Sequence, residues 1–333
     1  MSNLYISNIP VPYRHDLRIY LRNELSFRTL HYVDGDGFTN LFGYTVLCRM
    51  HRLLEKEMPR IVIAPEYSPL TLQLLACRKK YGFRLVSLCD DSFDMLQGND
   101  FTAMHRFARR VVPRYVDNVI LSTPRVVDWY HARYGKGILM PIISDERRVR
   151  PELERVLPLS ERLRPGAKPL VAFVGRLVGL KNIPTLLQAF EPLRGQAQMV
   201  IIGDGPERAA LEAQAPWALF TGMLSGDELQ AWYNLIDVLV LPSTQEAYGA
   251  VTGEALMAGA KVVVSRKAGS ADLVREGENG FVVDPMDVAG FTDRIGRLLD
   301  GVPVGRSLAL RENLLPYRFE TCIQHLLDEI NAL

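Results

Sequence analysis

The chain of 333 residues contains only four cysteines, Cys48, Cys77, Cys89 and Cys322. None falls in a Cys-x-x-Cys pair and no histidine cluster accompanies them, which excludes a disulfide framework and a cysteine-histidine zinc site. Free thiols suit a reducing compartment, so a cytoplasmic location is expected. No stretch approaches the roughly 18 consecutive apolar residues that read as a membrane span. The opening MSNLYISNIPVPYRHD breaks its short apolar stretch with Asn8, Pro10 and Pro12, unlike a secretory leader. Any lipid contact is therefore expected to be peripheral, on the cytoplasmic membrane face. Tandem repeats, low-complexity tracts, a GxGxxG fingerprint and a P-loop are all missing. No nucleic-acid-binding motif occurs either, so no nucleic-acid partner is expected.

The chain also has almost no net charge, +1 at neutral pH. That balance conceals a division. Residues 1–150 hold 22 Lys/Arg against 15 Asp/Glu, and residues 151–333 hold 17 against 23. A basic first half and an acidic second half suggest that the two halves meet different partners.

What is present is an alternation of short apolar, β-branched runs with amphipathic segments. Strands are expected at Leu4–Ser7, Thr29–Val33, Ile61–Ala64, Leu85–Leu88, Asn118–Ser122 and Gly137–Pro141. In the second half they are expected at Leu170–Val174, Met199–Ile202, Leu219–Thr221, Val238–Leu241, Lys261–Ser265 and Gly280–Val283. Among the intervening helices are Leu41–Glu57, Phe101–Arg110, Pro206–Gln214 and Gly249–Met257. The pattern predicts an α/β protein with two Rossmann-like domains. Residues 144–169 are charged, carry four prolines and lack a strand pattern, so they read as a linker. The expected domains are 1–145 together with a returning C-terminal helix, 317–333, and 146–316. Ligands of open α/β sheets bind beyond the carboxyl ends of the strands, so the loops there carry the candidate chemistry.

The strongest such loop is Glu246-Ala-Tyr-Gly-Ala-Val-Thr-Gly-Glu254, after the strand Val238–Leu241. A helix opening near Gly249 would offer free amides around Gly249, Ala250 and Val251, suited to a phosphate. Carboxylates on both sides of such a cradle fit hydroxyl-rich groups, a sugar and a ribose; two surface glutamates would give the same spacing. The second loop, Gly175-Arg176-Leu-Val-Gly179-Leu-Lys181-Asn182, places Arg176 and Lys181 where cations suit a diphosphate. The third, Gly203-Asp204-Gly205-Pro206, reads as a tight turn into a helix. In the first half, Asp90 and Asp91 follow a strand and stand either to meet an acceptor hydroxyl or to cap a turn. Asp34 and Asp36 have metal-ligand spacing but read as a solvated turn, and no metal is expected.

Taken in order, Gly175-Arg176 to Lys181-Asn182, Gly203 to Pro206, Glu246 to Glu254, Ala268-Gly269-Ser270 and Glu278-Asn279-Gly280 resemble the C-terminal domain of glycosyltransferase family 4. Residues 170–285 carry the resemblance. The turn Ser7-Asn8-Ile9-Pro10-Val11-Pro12-Tyr13-Arg14 is similar to that of a subset serving polysaccharide synthesis. The resemblance implies the GT-B fold, with two domains facing across a cleft. It also implies a retaining, metal-independent hexosyltransferase that needs no cofactor and takes its sugar from a UDP- or GDP-sugar. Arg176 and Lys181 would hold the donor diphosphate, Glu246 the transferred sugar, and backbone groups of Tyr248, Gly249, Ala250 and Val251 the distal phosphate. Glu254 would hold the ribose, and Gly222-Met223-Leu224 would approach the base.

The sequence departs from the family at Pro10-Val11-Pro12-Tyr13, where many members have a Gly-Gly loop; Tyr13 and Arg14 would substitute there, on the acceptor side. The short first domain reads as lacking a strand or insertion of its relatives. The acceptor is expected to be a glycan or lipid-linked oligosaccharide. Arg14, Arg18 and Arg22 form one stripe of a helix beside Leu17, Leu21 and Leu25, an arrangement that suits an anionic lipid surface or a face packed on the sheet. A nucleotide-sugar-binding subunit without activity and a nucleotide-sugar epimerase of the same architecture are the competing readings.

Overall fold

The computed structural model describes residues 3–7, 15–31, 38–41, 44–47, 50–98 and 102–333. It divides into two units, Met1–Ile142 with Phe319–Leu333, and Ile143–Arg318. The strands of the first unit are β1 (Asn3–Ser7), β2 (Phe27–His31), β3 (Phe38–Leu41), β4 (Tyr44–Leu47), β5 (Ile61–Pro65), β6 (Arg84–Cys89), β7 (Asn118–Leu121) and β8 (Ile138–Leu139). Its helices are α1 (His15–Leu25), α2 (Met50–Glu57), α3 (Pro69–Tyr81), α4 (Phe93–Gln97), α5 (Ala103–Val111) and α6 (Pro124–Tyr134).

Six of these strands form a parallel sheet in the order β2-β1-β5-β6-β7-β8. Strands β5 and β7 are buried along their whole length and β6 along all but its first residue, as expected of central parallel strands covered on both faces. Helix α3 starts where Ser68 accepts the Thr71 amide and Pro69 sets the first turn. It stops at Gly82, which takes the left-handed conformation at φ 71°.

For this unit one expectation is corrected and one open alternative is decided. The segment 41–57 is not one helix: β3 and β4 pair antiparallel, and only Met50–Glu57 is helical. Thr39, Tyr44, Thr45 and Val46 prefer strand, and the helical spacing of the apolar residues masked that preference. The stripe Leu17–Leu21 of α1 is not open to lipid. Leu17 and Leu21 are buried, and α1 packs on β2 and on the C-terminal helix, where the rings of Tyr20 and Phe319 lie 5.4 Å apart. Of the basic stripe, Arg14 lies outside the described residues, as do Tyr13, Asp34, Asp36 and Cys48. Cys77, Cys89 and Cys322 are unpaired and buried.

The second unit contains the helices α7 (Glu146–Arg155), α8 (Leu157–Leu163), α9 (Ile183–Phe190), α10 (Arg208–Gln214), α11 (Gly226–Leu235), α12 (Val251–Met257) and α13 (Val288–Leu299). Its strands β9 (Leu170–Val174), β10 (Gln198–Ile202), β11 (Leu219–Gly222), β12 (Val238–Leu241), β13 (Lys261–Ser265) and β14 (Gly280–Val283) form a second parallel sheet, ordered β11-β10-β9-β12-β13-β14. The expected linker at 144–169 is instead mostly α7 and α8. Asp145 caps α7, Pro158 sits in the first turn of α8, and the buried Leu153, Val156 and Ser160 fasten both to the unit. The high charge of α7 marks its solvated face rather than a flexible connection.

The chain ends in α14 (Phe319–Asn331), whose Phe319, Cys322, Ile323, Leu326, Leu327 and Ile330 face the first unit's interior. Each such apolar side chain contributes roughly 1.5–3 kcal/mol on burial. Among the described residues no helix is long and apolar enough to cross a membrane.

Candidate active site

The order of the second sheet reverses between β9 and β12, since successive strands run outward from β9 on one side and from β12 on the other. Such a reversal opens a crevice at the carboxyl ends, because the two flanking loops turn to opposite faces. The loop after β9 carries Arg176 and Lys181, and the loop after β12 carries Glu246. The Lys181 ammonium forms an ion pair with Glu246 Oε2, and Ser243 Oγ donates to the same oxygen at 3.4 Å. Two residues 65 positions apart thus meet, with their side chains 21% and 16% exposed. Arg176 is exposed and, among the described residues, its guanidinium has no hydrogen bond or ion pair. The loop after β9 therefore presents one open guanidinium, at Arg176, and one lysine paired with Glu246, residue types suited to a di-anion next to hydroxyl groups.

Asn182 holds the first loop in place. Its amide nitrogen donates to the carbonyls of Pro242, at 3.1 Å, and Pro285, at 2.7 Å, and so joins three loops at the sheet edge. The turn Gly203-Asp204-Gly205 packs backbone to backbone on the Arg176 loop. Gly175 N–H donates to Ile202 O, and Leu177 N–H to Asp204 O, both at 2.9 Å. A Cβ on Gly203 would overlap the Gly175 carbonyl, so glycine is required there for close approach. This motif supports the site rather than lining it.

Helix α12 begins at Val251, two residues later than Gly249, where the sequence places it. Gly249 adopts φ 90°, which ordinary side chains rarely reach, and a Cβ there would press on Leu241. The left-handed turn sends the chain from Glu246 across to the helix. Tyr248 is buried, its carbonyl accepting the Ser270 N–H at 2.8 Å, while Ala250 caps α12 without a side-chain bond. Thr252 and Ser270 hydroxyls lie 2.9 Å apart beneath the turn. The Ala268-Gly269-Ser270 motif thus braces the Glu246 loop from β13.

Glu254 sits in the first turn of α12 and accepts a hydrogen bond from the Tyr233 hydroxyl of α11. Burial raises its carboxyl above the ordinary 4.5, against the Tyr233 bond, which lowers it. An acid with a raised native pKa binds its proton more tightly folded than unfolded. Its stabilising contribution is complete below 4.5 and is lost as the pH climbs through the raised native value. Urea midpoints measured over that window should fall more steeply with pH in the unsubstituted protein than in Glu254→Gln. Parallel curves would contradict the shift.

In the first unit, the order reverses between β1 and β5. The loop after β1, with Tyr13 and Arg14, lies outside the described residues. At the ends of β5 and β6, Asp91 is buried and does not face an acceptor as expected. It is held bidentate by Arg109, with Nε and Nη2 each 2.7 Å from a carboxylate oxygen. Burial of both groups explains the pairing, since neither charge is tolerable alone. Asp90 is half-buried beside it, and Ser92, not an aspartate, caps α4.

Two residues here escape sequence reasoning. No motif of the sequence singles out Arg109 or Glu66. Glu66 has φ 47°, and this strained backbone is held by Glu66 N–H donating to Leu88 O at 2.8 Å and by Ser87 Oγ donating to Glu66 O at 2.7 Å. Its carboxylate lies 3.6 Å from Arg109 Nη2. Loss of hydration and the Asp91 charge push it above its ordinary pKa. No sequence pattern signals a positive φ at a glutamate. No group of three or more metal-ligating side chains occurs among the described residues.

Both sheets and the helices around them define a GT-B fold, shared with solved structures at low identity. Sucrose-phosphate synthase from Thermosynechococcus elongatus superposes with a TM-score of 0.76 at 17% identity, covering 100% of this chain and 99% of that one. Anabaena HepE, solved in complex with UDP and glucose, gives the same score and identity over 100% of both chains. Residues 168–301 match the family Glycosyl transferases group 1. The chain has the GT-B fold, and within its second unit residues 168–301 are similar to that family.

Among curated relatives, a GDP-mannose-dependent alpha-mannosyltransferase of Corynebacterium glutamicum is 40% identical over 122 residues, 37% of this chain and 29% of its own. The sulfoquinovosyl transferase of Arabidopsis thaliana is 39% identical over 40% of this chain and 27% of its own. The chain thus spans less than a third of the length of these two relatives. A phosphatidylinositol monomannoside mannosyltransferase of Mycolicibacterium smegmatis is 27% identical over 77% of this chain and 71% of its own.

Proposed function

We propose that the protein is a retaining, metal-independent glycosyltransferase that moves a hexose from a UDP- or GDP-sugar to a glycan or lipid-linked acceptor. The observation that carries this reading is the meeting of Lys181 and Glu246 beside the exposed Arg176 at the reversal of the second sheet. Arg176 and Lys181 would neutralise the leaving diphosphate, the main electrostatic requirement when no metal is bound. Backbone groups from Tyr248 to Val251 would flank the phosphate nearest the sugar. Glu246 would hold sugar hydroxyls as charge develops at the anomeric carbon, and Glu254 would accept bonds from the ribose. The leaving phosphate would take the acceptor proton, so no side-chain base is required. Relatives that use GDP-mannose support a nucleotide-sugar donor. The first unit would supply the acceptor side, with Glu66 and Asp90 at its sheet edge, and peripheral contact with an anionic membrane face fits its excess of arginine.

A thermal-shift screen against UDP-, GDP- and ADP-sugars tests the donor class, and stabilisation by none of them would refute it. Arg176→Ala should weaken binding of the matching nucleoside diphosphate at least tenfold, with little change for the nucleoside. This follows from the loss of about 1.5–3 kcal/mol for a hydrogen bond to a charged group. Equal losses for both ligands in a calorimetric titration would contradict a diphosphate role.

A further inference from the structure

Helices α4, α5 and α6 of the first unit line an open cavity of about 820 Å³ whose described lining includes five arginines and neither Asp nor Glu. Arg109 is committed to Asp91. Among the described residues, Arg110, Arg114 and Arg133 make no ion pair with any carboxylate. Two of them are nonetheless held in place. Arg133 lies over the Trp129 ring at 4.3 Å, and Arg114 over the Tyr134 ring at 5.6 Å. Arg114 also donates to the Arg110 carbonyl, and the Tyr134 hydroxyl donates to the Arg109 carbonyl at 3.3 Å. The aromatic faces fix the planes of the guanidinium groups without neutralising them.

Arg109, Arg110 and Arg133 sit in the last turns of α5 and α6, where the helix carbonyl ends favour cations. That attraction accounts for arginines on each helix singly. It does not account for the convergence of two helices' arginines on one concavity, where like charges repel. An anion in the cavity would relieve that repulsion, and guanidinium forks match phosphate oxygens in a bidentate fashion. The volume falls in the range of small-molecule sites, roughly 300–1,000 Å³.

We propose that this cavity is a binding site for a phosphate-bearing anion, held by Arg110, Arg114 and Arg133 with Arg106 at its side. The site is lined by residues of α4, α5 and α6 in the first unit and includes none of the donor-site residues proposed above. The ligand is either a soluble phosphorylated molecule or the phosphate of a lipid head group. Exposed Met104 and Phe107 on α5 make the lipid source worth an arm of the test.

Inorganic pyrophosphate is the probe, titrated into the full-length protein while tryptophan fluorescence is followed. Binding should change the Trp129 signal, because Arg133 rests on that ring, and Trp129→Phe should abolish the change. The triple variant Arg110→Gln/Arg114→Gln/Arg133→Gln should bind at least tenfold more weakly, with an unchanged circular dichroism spectrum. If it does not fold, the pair Arg110→Gln/Arg114→Gln, judged by the same tenfold criterion, decides instead. Displacement of pyrophosphate by phosphatidylglycerol vesicles, but not by phosphatidylcholine vesicles, assigns the site to a lipid phosphate. Absence of displacement assigns it to a soluble one. No Trp129-dependent signal, or equal affinity in the folded arginine variant, overturns the proposal.

Discussion

Replacing Glu246 with alanine is expected to lower turnover at least tenfold. Glu246 contributes twice at the site. Its carboxylate holds Lys181 in place, and in the proposed reaction it also binds hydroxyls of the sugar being transferred. A lost hydrogen bond to a charged group costs roughly 1.5–3 kcal/mol, and each 1.36 kcal/mol at the transition state is about a factor of ten in rate. The alanine variant also leaves a half-buried ammonium without its partner, so donor binding should change along with turnover. Glu246→Gln keeps the shape and a hydrogen-bond acceptor while removing the charge, and it should lie between the two. Initial rates measured at saturating donor, with melting temperatures recorded alongside, separate catalysis from folding. Near-normal turnover in a stably folded Glu246→Ala would remove Glu246 from the mechanism.

The second large effect lies in the first unit. Asp91→Ala should destabilise that unit by about 3–5 kcal/mol, the range for removing one partner of a buried ion pair. Both side chains are below one-tenth exposed, and the guanidinium makes two parallel bonds to the carboxylate. The alanine removes this bidentate partner, and Glu66 stands farther from Arg109, at 3.6 Å. The melting temperature should fall by roughly 6–20 °C, given 2–4 °C per kcal/mol for a protein of this size. The apolar double variant Asp91→Leu/Arg109→Met should recover much of the loss, because desolvating two charges is itself expensive. A loss below about 1 kcal/mol in urea titrations of Asp91→Ala, the range of exposed pairs, would show that the pair is solvated.

The second unit was largely legible in the sequence. Four of its strands, β9, β12, β13 and β14, have the expected bounds, because each is a short apolar run set off by turn residues. Its chemistry was legible for the same reason, since glycines and charged residues placed directly after strands can only lie at the carboxyl edge. The first unit was harder to read. The segment 41–57 hid a hairpin because its apolar residues also fit a helical spacing. In the second unit, the segment 144–169 hid two helices because its prolines and charges also suit a loop, whereas Pro158 opens α8 and the charges coat α7. At the start of α12, the positive φ of Gly249 delays the helix to Val251, and no local pattern distinguishes a glycine that starts a helix from one that turns into it.

The sequence by itself determined the alternation of strands and helices, the two-unit α/β architecture and the family resemblance of the second unit. Those properties reside in periodicity and in motifs a few residues long. Tertiary structure alone decided which distant charges meet. Lys181 reaches Glu246 because the sheet reverses its order between β9 and β12. Arg109 takes Asp91 out of solvent because α5 crosses the end of β6. The leucines of α1 are buried rather than offered to a membrane because α14 returns to cover them. Whether a charge is paired, buried or open depends on the low dielectric and on the partner beside it, and residues far apart in the chain supply both.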